Sequence, residues 1–165
     1  MKFPLVVSAD KYLVLPSGKY CWTGGRIGTA RKLALSDFRY LIEDVDLLPG
    51  HARINGVVLM VGAPGSGKTT WVEQWKNFEG VVGLGELWTL LFVDAMNLHP
   101  SDRTFYKDIA RRAGLPVHVV WVDTPLEVCL ERNARRPSER RVPEERVRGA
   151  HRRLQPPNEM ERFTS

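Results

Sequence analysis

Residues 62–69 read Gly62-Ala63-Pro64-Gly65-Ser66-Gly67-Lys68-Thr69. That spacing of glycines, a lysine and a hydroxyl has a specific chemistry. Glycines let consecutive backbone N–H groups turn inward, and such a nest of donors holds an anion. A helix that starts at the same point adds the positive end of its dipole. Lys68 then supplies a mobile cation for the β- and γ-phosphates of a nucleotide, and the Thr69 hydroxyl is a Mg²⁺ ligand. The stretch from Gly62 to Thr70 is therefore the expected site for a nucleoside triphosphate, ATP or GTP.

Two further groups of residues carry charge suited to that chemistry. Asp94 closes the apolar run Leu90-Leu91-Phe92-Val93; a carboxylate there either holds Mg²⁺ beside Thr69 or caps the following turn. Asp123 ends a similar run and reads as a turn and cap residue. Residues 131–153 hold nine arginines against four glutamates. The difference equals the net charge of the whole chain, +5. Such a concentration suits a polyanionic partner, nucleotide phosphates or a nucleic-acid backbone, or else a solvated helix face of mixed charge.

The elements that must position these residues follow from periodicity. Phe3 to Ser8 reads as a strand ending at Asp10. Tyr12–Leu15 and Lys19–Trp22 flank the turn signal Pro16-Ser17-Gly18. From Ile27 to Val45 the apolar residues fall on one helical stripe through Ala30, Ala34, Phe38 and Ile42. Pro49-Gly50 ends that helix, and residues 46–56 read as a connector. Val57–Val61 is an uninterrupted apolar run, as in a parallel strand buried on both faces. The glycine loop and a helix to about Phe78 follow. Leu90–Val93 and Val117–Val122 are two further strands. Ser101 is placed to cap a helix that Gly114 stops, Thr124-Pro125 to open the next, and Pro143 with Glu144 and Glu145 to open one more, to about Leu154. The tail from Gln155 has no periodicity and is expected to be loosely held. Strands alternating with helices imply an α/β fold with a parallel sheet covered on both sides. Asp10, Gly62, Asp94 and Asp123 would then line one edge, where open sheets of this kind bind ligands.

The bulk properties agree. The chain has 165 residues, 43% apolar and 26% charged, as expected for one globular domain. No apolar run reaches the roughly 18 residues of a membrane span, and the first residues lack a signal-peptide pattern, so a cytoplasmic location without membrane contact is expected. Cys21 and Cys129 lie in unrelated contexts, which points to plain thiols rather than a zinc site or a disulfide.

Taken together, several segments resemble the phage-type polynucleotide 5′-kinase family. They are Ala63–Trp71, Val93-Asp94-Ala95-Met96-Asn97-Leu98 with Arg103 after it, Val122-Asp123-Thr124-Pro125, Cys129–Arg136 with its Arg132-Asn133-Ala134-Arg135-Arg136, and Val142–Glu145. The resemblance implies a P-loop kinase three-layer sandwich that transfers the γ-phosphoryl of a nucleoside triphosphate to a hydroxyl, most directly a polynucleotide 5′-OH. It also implies a lid over the phosphates in which Arg132 and Arg136 are the catalytic arginines. Zeta-toxin-like and small-molecule kinases share parts of the pattern.

One piece of that pattern is out of place. In the family the strand after the P-loop helix ends in a catalytic aspartate, but residues 79–89 contain none. Val6-Val7-Ser8-Ala9-Asp10-Lys11-Tyr12 looks like that strand end instead, followed by the aromatic stretch and helix that accompany it. The chain is thus expected to be a single permuted domain: residues 1–50 an acceptor-side segment, 57–154 the P-loop core with its arginine lid, 155–165 the tail. Asp10 becomes the implied general base. Residues 46–56 could span roughly 36 Å when extended, enough to return across the domain. The family's acceptor-phosphate arginine corresponds to Leu13 here, with Lys11 and Arg26 as the nearby cations. Tyr12, Tyr20 and Trp22 are candidates to stack an acceptor base. A small-molecule or nucleoside kinase, and a nucleotide-binding module without transfer, are the other readings open at this point.

Overall fold

A computed structural model describes residues 5–43, 53–75, 80–82, 86–158, 161 and 163–164. Its centre is four parallel strands, β1 (Leu5–Val7), β2 (Arg53–Val61), β4 (Glu86–Val93) and β5 (Val117–Trp121). They lie in the order β1-β4-β2-β5. β1 is held in register by Leu5 opposite Leu91, Val6 opposite Phe92 and Val7 opposite Val93. Two short antiparallel strands extend the sheet: β3 (Gly80–Val82) on β4 and β6 (Phe163–Thr164) on β5.

The run Val57–Val61 forms the central strand because both of its faces are covered. Val57, Leu59 and Val61 point into a core shared with Ala34, Phe38 and Ile42 of α1 (Gly24–Glu43) and with Tyr106, Ile109 and Ala110 of α3 (Pro100–Arg112). Val58 and Met60 point the other way, onto Val72, Trp71 and Trp75 around α2 (Lys68–Glu73). Helices on both faces of a parallel sheet make three layers. At the C-terminal edge of the strands a third cluster joins Ala63 and Leu98 to Cys129 of α4 (Leu126–Ala134) and to Val147 and Ala150 of α5 (Glu144–Arg153). The architecture is that of a P-loop kinase-like α/β fold.

Several local expectations are corrected. β3 and the first half of β4 occupy residues to which the sequence reading assigned no element, since Gly80-Val81-Val82 is short, and β3 and β6 add antiparallel pairs at the margins of the parallel sheet. β2 starts at Arg53, inside the expected connector, where a register shift between Ile54 and Gly56 accommodates it. His99 rather than Ser101 caps α3, because Pro100 takes the first helical position and the Asp102 carboxylate accepts from the His99 N–H at 3.2 Å. Thr124 does not cap α4; its hydroxyl donates to the Ser66 carbonyl at 2.9 Å, and Pro125 is the cap. The tail is not loose over its described residues: the Gln155 N–H donates to the Leu98 carbonyl, and Glu161 pairs with Arg103 at 2.8 Å. Phe3, Pro4, the stretch 44–52 and residues 76–79 at the expected end of the P-loop helix lie outside the described residues.

Candidate active site

The glycine loop turns out of β2 with backbone that favours glycine. Gly65 and Gly67 have φ of +84° and +105°. A Cβ at Gly65 would overlap the Cys129 carbonyl of α4, and one at Gly62 would sit 2.6 Å from Ser66 Oγ. Lys68 begins α2 and is buried; its Nζ donates to the Gly62 and Ala63 carbonyls, both at 2.9 Å. Burial holds Lys68 below its ordinary value, against the pull of Asp94 and Asp10. Ser66 Oγ is buried and makes no hydrogen bond with any described residue. An orphaned hydroxyl and a coiled lysine inside a ring of glycines fit a phosphate chain, which would supply the missing acceptors.

Beside the loop, β4 delivers Asp94. The Thr69 hydroxyl donates to Asp94 Oδ2 at 2.7 Å. A hydroxyl and a carboxylate in contact at the phosphate edge are oxygen donors of the kind Mg²⁺ takes, with phosphate and water completing its shell. These are the residues that would hold the ion.

Asp10 reaches the same edge by a separate route. β1 runs parallel to β4, the Asp94 N–H donates to the Val7 carbonyl at 2.9 Å, and a single 3₁₀ turn, Ala9–Tyr12, follows. The Ser8 hydroxyl caps that turn through the Asp10 N–H. Asp10, Lys68, Asp94, Arg132 and Arg136 consequently line one cavity of about 1180 Å³. Asp10 is open to the solvent of that cavity yet walled by protein. Desolvation, reinforced by Asp94, raises its carboxyl above the ordinary aspartate value, while Lys68 and Arg136 pull it down.

The arginine segment folds over the loop from α4. Arg132 Nη1 donates to the Ser66 carbonyl at 3.0 Å and lies 3.5 Å from the Gly65 carbonyl. Asn133 fixes the segment's return by a reciprocal pair with Val142, at 2.7 and 3.0 Å. Arg136 faces the cavity and acts on both Asp10 and Lys68 through its charge.

The remaining expected residues divide. Ala63, Pro64 and Thr70 are in place around the loop, with Pro64 and Thr70 on the cavity wall. Leu13 is buried. The nearby cations are engaged elsewhere: Lys11 pairs with Asp37 at 2.6 Å, and Arg26 donates to the Tyr12 and Val14 carbonyls. Tyr12 donates to Asp37, Tyr20 stacks on Trp22, and Trp22 borders the cavity. Sequence reasoning missed Arg31 on the cavity wall; Arg146 and Arg153, read there only as part of the arginine-rich segment 131–153, also line it. Arg31 sits one residue past Ala30 on the flank of the apolar stripe of α1, a place that gives a cation both an anchored stem and access to the cleft.

Fold and loop together define a P-loop nucleotide-binding module of kinase-like build. A family model described as an AAA domain matches residues 82–157, just under half of the chain. The matched stretch carries Asp94, Arg132 and Arg136 and begins after the glycine loop. No curated protein matches the chain. No helix among the described residues is long and apolar enough to cross a membrane.

Proposed function

We propose that this chain is a Mg²⁺-dependent kinase that moves the γ-phosphoryl of ATP or GTP onto the 5′-hydroxyl of a polynucleotide, with its acceptor-side segment permuted to the N-terminus. The observation that carries the reading is the meeting of Asp10 with Lys68 and Arg136 in one cavity, although β1 and the glycine loop are separated by more than fifty residues of chain. Lys68 would exchange its loop carbonyls for phosphate oxygens. Arg132 and Arg136 would neutralise charge on the transferring group, where preorganised cations act most strongly. Asp10 would take the acceptor's proton, and its raised pKa suits a base that must be ionised near neutral pH and still attract a proton. Thr69 and Asp94 would hold Mg²⁺, which supplies charge neutralisation between the phosphates.

Support for a polynucleotide acceptor comes from the walls. Arg31 and Lys32 on α1 and Arg146 and Arg153 on α5 border the cavity, with Trp22 and the 62% exposed Phe105 among its apolar surfaces. Cations with aromatic platforms suit a single strand. The second reading, a nucleoside or other small-molecule kinase, draws on the burial of Leu13 and the engagement of Lys11 and Arg26. Labelled transfer from ATP and GTP to 5′-OH DNA, 5′-OH RNA and free nucleosides separates them. Oligonucleotides should be phosphorylated far better than nucleosides. Equal rates would favour the small-molecule reading, and nucleotide binding without transfer would leave a non-catalytic module.

A further inference from the structure

Arg103 is a fully buried guanidinium, 0% exposed. Burying a charge is tolerated when it is paired and its donors are used. Here Nε and Nη2 grip the Glu161 carboxylate at 3.1 and 2.8 Å, a bidentate pair. Nη1 donates to the Asn97 carbonyl at 3.0 Å and the Gln155 carbonyl at 3.2 Å, with the Leu98 carbonyl 3.5 Å away. Glu161 is itself set in place by the Asn158 side chain, which accepts from its N–H at 2.8 Å. One arginine thus ties Gln155 and Glu161 near the C-terminus to the loop that follows Asp94.

That loop has an unusual conformation. Asn97 has φ of +46°, in the left-handed region that side-chain-bearing residues rarely adopt. It is held from two sides: Asn97 Nδ2 donates to the Met60 carbonyl at 2.9 Å, and the Asn97 carbonyl is gripped by Arg103. The turn so formed presents the Met96 carbonyl to the Gly62 N–H at 3.1 Å, at the first residue of the glycine loop. It also fixes the chain leaving Asp94, whose carboxylate meets Thr69.

We infer that Arg103 is a positioning residue for the metal and phosphate edge, and that Gln155 to Asn158, with Glu161, are a strap which supplies its counter-charge through Glu161. This rests on the nucleotide-binding reading above and adds a dependence on residues that do not themselves line the cavity. With Glu161 neutralised, the buried guanidinium keeps its charge and loses its partner, and the carbonyls of Asn97 and Leu98 must compensate by moving. The displacement falls on Asp94 and Gly62, not on the acceptor side.

The test compares wild type, Glu161→Gln and Arg103→Lys as full chains, each first checked for a cooperative thermal transition. A non-hydrolysable triphosphate is titrated with Mg²⁺ and again with a chelator, and transfer kinetics follow. Residues supporting metal ligands typically contribute about 10–100-fold to affinity or activity. Glu161→Gln should bind the metal-free nucleotide nearly as wild type does, lose about tenfold of the Mg²⁺-dependent gain, and lose kcat with the acceptor KM unchanged. Arg103→Lys, which keeps the charge without the fork, should fall between. A folded Glu161→Gln with the full Mg²⁺-dependent gain would overturn the inference. Should Arg103→Lys fail to fold, Glu161→Gln alone decides. Wild type without any Mg²⁺-dependent binding would instead refute the nucleotide-binding reading itself.

Discussion

Asp10→Asn removes one proton acceptor and leaves the shape of the site intact. The Asp10 backbone N–H keeps its Ser8 cap, and the carboxylate makes no hydrogen bond or ion pair with any described residue that amide substitution would break. Loss of a general base costs about 10²–10⁴-fold in rate, or about 3–5 kcal/mol on the barrier. Nucleotide binding should persist, since Lys68 and the loop carbonyls are untouched, and removal of a negative charge beside the phosphates favours it. Stability should not fall. The folded carboxyl is raised, so its stabilising contribution is present below its unfolded value and is lost as pH rises through the folded value. An amide that cannot ionise is thus at least as stable at neutral pH. The assay is single-turnover transfer from labelled triphosphate to a 5′-OH oligonucleotide across a pH series. Wild type should show an acid limb above the ordinary aspartate value, and Asp10→Asn a slow rate without that limb. A variant within tenfold of wild type, or one keeping the limb, would refute the assignment of Asp10 as base.

Four other outcomes are expected. Lys68→Ala should weaken triphosphate binding by about 10–100-fold, the worth of a charge-assisted hydrogen bond, and abolish detectable transfer; calorimetry and the labelled assay check both. Arg132→Ala and Arg136→Ala should each slow single-turnover transfer by about 10²–10³-fold with unchanged melting, because both side chains sit on the cavity rather than in the core. Gly65→Ala should destabilise the loop by at least about 1–2 kcal/mol for the left-handed backbone alone, and more because its methyl meets the Cys129 carbonyl; denaturant titration and nucleotide affinity would both register it. Burial opposes the Glu161 charge, but Arg103, with Asn158 and Lys107, outweighs it and holds the carboxyl below its ordinary 4.5. The stability it contributes is present above that value and lost as pH falls through the lowered one, so melts from about pH 7 to pH 3 should show a steeper acid loss for wild type than for Glu161→Gln.

Much of this arrangement was legible in local sequence. Val57–Val61 and the glycine loop read correctly because a doubly buried strand and a left-handed glycine turn each leave a dense local signature. The stripe Ala30, Ala34, Phe38 and Ile42 gave α1 for the same reason. That the N-terminal strand would bring Asp10 to the ligand edge was expected, but three residues of strand carry too little pattern to state β4 as their partner. What escaped was settled at long range. Arg103 and Glu161 find each other across fifty-eight positions, and nothing in Pro156-Pro157-Asn158 announces an anchor. Thr124 was misassigned because a capping hydroxyl and one drawn to a neighbouring loop look identical in sequence. Arg31 was lost among twenty-four basic side chains, whose directions only packing decides.

The placement of β1 has a consequence for how the molecule is made. Leu5 pairs with Leu91, so β1 waits for a partner encoded far downstream of it. At translation rates of about 5–20 residues per second that delay is roughly 4–17 s. Throughout it the apolar stripe of α1 has no sheet to cover it. The segment bearing Asp10 emerges from the ribosome well before β4 and docks only after it. Nascent chains halted before residue 86 should therefore engage holdase chaperones through residues 30–42 and release them once β4 has been extruded.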